Sequence, residues 1–228
     1  MKKENYSYGQ TAEWTATQAL HWLESVISEG ITSDLHAAPA AADHLFGRPT
    51  AFLPGNDLSF TSGLAATGLR TASLLSGKAL MGNLAHLPGL SRRHLATVLH
   101  LLLHTGDGPQ AINSAGHRAY LAAANSGWFQ FFGADAQEAV DLAVIARRVA
   151  ESALLPGINA LDAVSVSQTV QLPDRKTLQQ FLGSPDDFLE APTPAQRLLF
   201  GRTRRRLPNW FSPDFPIQYG GSKPSRAL

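Results

Sequence analysis

The chain has 228 residues, a formal net charge of +1 and 16% charged residues. This length suits one α/β domain with a sizeable core, and so small a net charge creates no overall field that would attract nucleic acid or an anionic membrane. The sequence contains no cysteine, which excludes disulfides, thiolate-ligated zinc and iron–sulfur clusters on this chain. No run reaches the roughly 18 apolar residues of a membrane span, and no apolar segment follows the lysines near the start, so we expect a soluble, cytoplasmic protein.

Two segments in the first third of the chain have helical character. Residues 11–29 repeat apolar side chains at helical spacing, and Gly30 supplies a stop, so we predict an amphipathic helix there. Residues 59–72 are rich in glycine and alanine, which favours close approach to a neighbouring backbone. We expect this second segment to pack tightly against a sheet.

The middle of the chain alternates between predicted strands and helices. Residues 94–104 are nearly all apolar and precede a Gly/Pro turn, which favours a strand buried on both faces, although a helix is possible. In a strand, His100 and His104 point to the same side. The aromatic residues 128–132 predict another buried strand, and residues 135–152 predict a helix that is apolar over most of its circumference. This alternation predicts a mainly parallel, doubly wound sheet.

The end of the chain loses this periodicity. From Pro173 onward proline, aspartate and arginine dominate, which predicts an extended, wrapping segment over residues 173–228. We therefore expect one module over residues 1–228, with its core at about residues 9–172.

Four short sequences in residues 126–171 carry a family resemblance. They are Ser-Gly-Trp-Phe at 126–129, Asp-Ala-Gln-Glu-Ala-Val-Asp-Leu-Ala-Val-Ile-Ala at 135–146, Leu-Pro-Gly-Ile-Asn-Ala-Leu-Asp at 155–162 and Ser-Gln-Thr-Val-Gln at 167–171. This wording resembles the first domain of pyruvate:ferredoxin (flavodoxin) oxidoreductases, and the tail at 207–219 resembles the segment that closes that domain. The resemblance implies a three-layer α/β sandwich that binds the pyrimidine end of thiamine diphosphate.

The resemblance also indicates where an acid should lie. Thiamine enzymes place a carboxylic acid beside N1′ of the pyrimidine, because protonation there promotes the imino form that acts as internal base. The family uses a glutamate just before the small-residue helix, but residues 51–58 hold none. A gapless alignment puts Pro54 at that position, and a short deletion puts Asp57 there instead. Asp57 is thus the candidate catalytic and cofactor-binding acid, while a helix N-cap is the favoured structural interpretation of the same residue.

Other positions are assigned by the same resemblance. Thr32 and His104 match substrate-binding positions, with His104 where the family has an arginine that binds the substrate carboxylate. Cofactor-binding positions are assigned to Ser76, Gly77 and Asn125.

Further downstream, the sequence keeps some polar positions of the family and changes others. Asp162 and Ser167 match the family, whereas Ser165 and Gln168 replace its arginine and histidine. The sequence therefore keeps the strands and helices of the family better than it keeps the polar residues at the ends of the strands.

Two other kinds of site compete with this interpretation. His100 and His104 could form a metal site with His117 or His36, but a His100 satisfied within the core is favoured and we predict no metal-ligand set. The basic cluster at residues 202–206 could hold a phosphate or an acidic partner, although a solvated charge run is favoured.

The predicted function follows from the module and from what it lacks. A complete site in this superfamily lies between a pyrimidine module and a diphosphate/magnesium module, and the chain has no magnesium motif beyond the isolated Gly-Asp-Gly at 106–108. The resemblance therefore implies a component of a thiamine-diphosphate-dependent 2-oxoacid oxidoreductase or decarboxylase, with cofactor and Mg²⁺ shared with a diphosphate-binding partner subunit or within a homodimer. The alternative is a degenerate, non-catalytic module that acts in binding or assembly.

Overall fold

The computed structural model describes residues 8–35, 43–103, 117–162 and 167–183. The strands are β1 Thr11–Trp14, β2 Gly30–Ser33, β3 Ala51–Pro54, β4 Thr71–Ser76, β5 Thr97–Leu103, β6 Phe129–Gly133, β7 Gly157–Asp162 and β8 Gln168–Gln171. The α-helices are α1 Ala16–Ile27, α2 Leu58–Ala66, α3 Gly77–Asn83, α4 Leu87–Arg92, α5 Arg118–Ala122, α6 Ala136–Ala153 and α7 Arg175–Leu182, with a short 3₁₀ turn at Leu84–His86.

A parallel six-stranded sheet forms the centre of the fold, in the order β3-β2-β4-β5-β7-β6. Strand β2 lies between β3 and β4, with Thr32 opposite Leu53 on one side and Ser73 on the other. Strands β1 and β8 form a separate antiparallel ribbon. Because the strands of the main sheet run the same way, all their carboxyl ends lie along one edge.

Alternate side chains of the central strands supply two different cores. Leu74 and Leu102 pack in the core that contains α1, α6 and α7, whereas Leu75, Leu101 and Leu103 pack in the core that contains α2, α3, α4 and α5. Helices thus cover both faces of the sheet. This arrangement confirms the predicted three-layer α/β fold with a mainly parallel sheet.

The helix predicted over residues 11–29 is shorter than expected. Its first four residues form β1, because alternate side chains there are buried and the strand pairs with β8. The helix begins after Thr15, whose hydroxyl accepts from the Gln18 backbone N–H while the Gln18 side chain accepts from Thr15 N–H. Gly30 already belongs to β2, where an added Cβ would lie 2.5 Å from Leu64.

Two other sequence predictions need correction. In residues 59–72 only the first part is helical, since α2 ends at Ala66 and β4 begins at Thr71; α2 does pack on β2 and β4 as predicted. Residues 128–132 are not a fully buried strand. Among the described strands, β6 pairs with β7 alone and forms the edge of the sheet, and Phe132 is 39% exposed.

The strand and helix predicted over residues 94–104 and 135–152 are confirmed. Strand β5 is buried at every position because it has neighbours on both sides and helices on both faces. Helix α6 begins after Asp135, whose carboxylate accepts from Glu138 N–H, and ends at Leu154 in a left-handed conformation.

Residues 173–228 were predicted to be extended, but their first part is helical. Helix α7 is capped by Asp174 and places Leu178 and Leu182 in the core with α1 and α6, so the core continues beyond residue 172. Buried Arg70 donates to the Leu182 carbonyl at 2.6 Å and forms a two-pronged ion pair with Glu151. Residues 184–228, including the basic cluster at 202–206, lie outside the described residues.

Candidate functional site

The carboxyl edge of the sheet contains a switch point, where the order in which strands are added to the sheet reverses. From β2 the chain adds β3 on one side, and from β4 it adds β5 on the other, so β2 and β4 flank the switch point. In open α/β sheets, ligands bind in the crevice outside the carboxyl ends of the strands at this point. The side chains that follow β2, β3 and β4 are therefore the first candidates for a ligand site.

Asp34 and Ser76 meet directly at the switch point. The Asp34 carboxylate accepts from Ser76 N–H at 2.8 Å and from the Ser76 hydroxyl at 2.6 Å. The same hydroxyl caps α3 by accepting from Ala79 N–H. Ser76 was assigned to the cofactor site from the family resemblance, whereas Asp34 was not, although an acid placed directly after a buried strand signals a residue at this edge.

Gly77 follows Ser76 and begins α3. An added Cβ at Gly77 would make only ordinary contacts, at 3.6 Å, with Ala119 and Leu103. The packing around residue 77 would therefore accommodate a side chain, and steric crowding within the protein does not explain the glycine.

Asp57 lies just after β3 on the same edge and caps α2. Its carboxylate accepts from Ser59 N–H at 2.8 Å, which confirms the N-cap interpretation. Asp57 is exposed, and its hydrogen bonds with Ser59 lower its pKa, so the carboxylate is ionised near neutral pH. Pro54, the other alignment candidate, pairs with Ser33 in the sheet and has no ionisable group.

Thr32 and Ser33 use their hydroxyls inside the protein. Thr32 is fully buried, and its hydroxyl lies 3.0 Å from the Leu53 carbonyl and 3.1 Å from the Gly55 carbonyl, which tie β2 to β3. Ser33 Oγ lies 3.2 Å from His21 Nε2 and accepts from Leu35 N–H. Burial, with a further contribution from His100, lowers the pKa of His21 to about 4, so its imidazole is neutral at pH 7.

One predicted residue is not brought to this group. Asn125 is exposed in the turn that leads into β6, and residues preceding a parallel strand lie at the amino edge, opposite Asp57 and Ser76. Ser126 confirms that position, since its carbonyl accepts from Ser91 at the end of α4. His104 lies outside the described residues.

His100 is held in a buried polar network under the sheet. Its Nε2 lies 2.7 Å from Glu24 Oε1, and Asn159 Nδ2 lies 3.3 Å from its Nδ1. Arg147 donates to the other Glu24 oxygen at 3.2 Å and to the Thr71 carbonyl at 2.9 Å. The core-satisfied interpretation of His100 is confirmed, and within the described residues no three His, Asp or Glu side chains are grouped to hold a metal ion.

A second polar pair lies further along the carboxyl edge. His117 Nε2 and Asp162 Oδ1 are 2.9 Å apart, and their side chains are 45% and 52% exposed. Asp162 ends β7 and His117 directly precedes α5. Both residues stand out in the sequence, but they are 45 positions apart and only the fold brings them together.

The sequence profile of a family described as "Pyruvate flavodoxin/ferredoxin oxidoreductase, thiamine diP-bdg" matches residues 58–219, well over half of the chain. The chain belongs to this family. The sequence resemblance is thereby confirmed, and the family is one that binds thiamine diphosphate. Within the site, Ser76 and Gly77 fall inside the matched residues, while Thr32, Asp34 and Asp57 precede them.

Individual relatives agree with the family. Pyruvate synthase subunit PorA of Pyrococcus furiosus is 30% identical over 138 residues, which are 55% of this chain and 33% of the relative. The alpha subunit of the NADH-dependent phenylglyoxylate dehydrogenase of Aromatoleum evansii is 30% identical over 131 residues, 55% of this chain and 31% of that subunit. The chain thus spans about a third of the length of these relatives.

A solved structure shows the same fold. A 2-oxoglutarate:ferredoxin oxidoreductase from Magnetococcus marinus, with 2-oxoglutarate, coenzyme A and succinyl-CoA bound, superimposes with a TM-score of 0.55. The match covers 73% of this chain and 32% of that one at 12% identity. Separately, none of the helices in the described part of the chain is long and apolar enough to cross a bilayer.

Proposed function

We propose that the chain supplies the pyrimidine side of a thiamine diphosphate site in a 2-oxoacid oxidoreductase or decarboxylase. The family match over residues 58–219 carries this proposal. The geometry supports it, because Asp34 and Ser76 are hydrogen bonded where the strand order reverses, and Asp57 follows β3 on the same edge of the sheet. The relatives are named as subunits of pyruvate synthase and phenylglyoxylate dehydrogenase, both of which act on 2-oxoacids.

Asp57 is the residue that we assign to N1′ of the pyrimidine. When bound, thiamine diphosphate supplies the carbanion chemistry that cleaves the bond between the carbonyl carbon and the carboxylate of a 2-oxoacid. A carboxylate offers about four acceptor positions, so an Asp57 that caps α2 through Ser59 can accept a further hydrogen bond from a protonated ring nitrogen. Because the hydrogen bonds with Ser59 lower the pKa of Asp57, its carboxylate is ionised and can accept that hydrogen bond.

The neighbouring residues would shape the edge around the ring. Asp34 fixes the start of α3 through both the N–H and the hydroxyl of Ser76, which keeps Ser76 and Gly77 in place for the cofactor. Thr32 and His104 remain proposals for substrate binding. The Thr32 hydroxyl donates to the carbonyls of Leu53 and Gly55. To bind a substrate, it must give up one of these hydrogen bonds and donate to the substrate instead.

A partner would supply the diphosphate and Mg²⁺ side of the site. The chain spans about a third of its relatives, and oxidoreductases of this kind contain several subunits or domains. We therefore propose a hetero-oligomer with a diphosphate-binding subunit, with a homodimer as the other possible assembly.

Calorimetric titration of thiamine diphosphate and Mg²⁺ tests this function. We expect binding to the chain together with a diphosphate-binding subunit, and an affinity at least about tenfold weaker for Asp57→Asn, because a charge-assisted hydrogen bond is lost. Asparagine caps helices about as well as aspartate, so α2 should keep its stability. Asp174→Asn, at the cap of α7, is the matched control and should bind like the unaltered chain.

A non-catalytic module for binding or assembly is the second candidate. It is favoured by the buried, internally bonded hydroxyl of Thr32 and by the position of Asp57 on the surface, where solvent weakens its electrostatic effect on a ligand. An unchanged affinity in Asp57→Asn would reject the assigned role of Asp57. Absence of binding with every diphosphate-binding subunit tested would favour the non-catalytic module.

A further inference from the structure

The His117–Asp162 pair is positioned where a ligand can reach it. Asp162 pairs with Leu103 of β5 at the carboxyl edge, and both members of the pair are about half exposed. Strand β5 separates β7 from β4, so the pair lies two strand spacings, about 10 Å, from Ser76. The pair therefore lies on the same edge of the sheet as the switch point but is separate from the Asp34–Ser76 contact.

The chemistry of the pair determines which nitrogen of His117 carries the proton. An ionised carboxylate can only accept a hydrogen bond, so Nε2 of His117 must donate to Asp162. In the neutral imidazole, Nδ1 then carries a lone pair and no hydrogen. Asp162 is thus placed to keep His117 in the form that can accept a proton at Nδ1.

Aromatic contacts hold the imidazole from another side. The His117 ring meets Phe132 edge-on, with centroids 5.2 Å apart and planes at 81°, and Tyr120 meets Phe132 in the same way at 5.4 Å. Phe132 is 39% exposed, so part of this aromatic surface faces outward beside the imidazole. Here the Asp162 carboxylate and the packed aromatic rings both fix the orientation of the His117 imidazole. A base that is oriented in this way by a neighbouring group can take a proton from a bound ligand.

We propose that His117 and Asp162 form an acid–base site for an uncharged protic ligand with a planar or apolar body. The ligand donates an O–H, N–H or S–H hydrogen bond to Nδ1 of His117 while its body packs beside Phe132. If the proton transfers, the imidazolium forms next to the Asp162 carboxylate and returns the proton to the ligand on reversal. The Asp162 charge repels carboxylates, so this site differs in ligand class from the substrate-carboxylate role assigned to His104.

Nuclear magnetic resonance of the full chain tests the proposal with two matched probes, phenol and benzoate. They share one ring, but phenol is a neutral donor near pH 7 and benzoate is an anion. We expect phenol to shift the His117 ring signals with an affinity at least about fivefold tighter than benzoate, since one unit charge at about 4 Å contributes roughly 1 kcal/mol even in water. His86, exposed on the 3₁₀ turn away from this pair, is the internal control and should not respond.

The variant Asp162→Asn tests whether Asp162 positions His117, or whether His117 binds the probes simply because it is exposed. We expect the ¹⁵N shifts of His117 to lose the pure Nε2–H form, and the preference for phenol over benzoate to disappear. Equal binding of both probes in the unaltered chain, or an Nδ1–H form of His117, would overturn the proposal, as would an unchanged preference in Asp162→Asn. Because no cofactor is added, these outcomes are independent of the thiamine diphosphate titration.

Discussion

The buried pair of Glu24 and Arg147 should contribute strongly to stability, and Glu24→Gln tests how much. Both side chains are fully buried, and Arg147 Nη2 donates to Glu24 Oε2 at 3.2 Å. Glutamine keeps the size of the side chain but removes its charge. The guanidinium of Arg147 would then remain in the core without its counter-charge.

The lowered pKa of Glu24 and the usual cost of breaking a buried ion pair indicate a similar loss of stability. Burial alone would raise the pKa of Glu24, but the charge of Arg147 and the hydrogen bonds from His100 and Ser28 outweigh it and lower the pKa from 4.5 to about 2. At about 1.4 kcal/mol per tenfold change in acid constant, ionisation of Glu24 stabilises the fold by about 3 kcal/mol. Removing one member of a buried ion pair typically costs about 3–5 kcal/mol.

Urea unfolding at pH 7 measures the free energy directly. We expect Glu24→Gln to lower the free energy of unfolding by about 3 kcal/mol with an unchanged dependence on urea. The double variant Glu24→Gln/Arg147→Met should recover much of the loss, because an apolar side chain then replaces the unpaired charge. A single-variant loss below about 1 kcal/mol, or a double variant no more stable than the single one, would refute this account of the core.

Three further predictions concern other parts of the fold. Arg70→Lys should lower the free energy of unfolding by about 2 kcal/mol or more, because lysine cannot reproduce the two-pronged pair with Glu151; a loss no larger than that of an exposed Arg118→Lys control would contradict it. Gly127→Ala should cost about 1–3 kcal/mol in thermal unfolding, because φ is +81° and the new Cβ would lie 2.8 Å from the Ser91 hydroxyl; unchanged stability would show that the turn adjusts. The pKa of His21 is lowered in the folded protein, so the unfolded chain takes up its proton first as the pH falls. The contribution of His21 to stability should therefore be constant well above pH 6.5 and fall by about 3 kcal/mol as the pH drops to 4, and His21→Gln should flatten this part of a pH–stability curve.

Local signals were sufficient for part of the fold. Helix α6 was predicted within one residue at each end, because the Asp135 cap and a long apolar surface are both visible in sequence. Strand β5 was predicted because a short apolar run precedes a breaker. Strand β1 was missed because its two-residue alternation adjoins a helical pattern, and only the distant strand β8 decides between them.

The site depended more on distant contacts. Asp57 was placed correctly as a cap from local sequence. The contact of Asp34 with Ser76 joins residues 42 positions apart, and it follows only from β2 and β4 being neighbours. Asn125 was assigned to the cofactor site together with Ser76, but it lies at the opposite edge of the sheet, because it precedes β6 whereas Ser76 ends β4. The acid that holds His100 lies 76 positions away, on α1.

The contact between Arg70 and Leu182 fixes which edge of the sheet α7 lies on, and this determines where a reporter group can be attached without blocking the ligand site. Arg70 directly precedes β4, so the Leu182 carbonyl that it holds lies at the amino edge of the sheet. The six residues of β4 separate that edge from Ser76 by about 20 Å. A fluorophore attached to a cysteine introduced at exposed Phe181 (Phe181→Cys) would therefore report on loosening of α7 while leaving the opposite edge accessible to ligands, since the chain has no other cysteine. A second probe on the carboxyl edge would report ligand binding separately from this loosening.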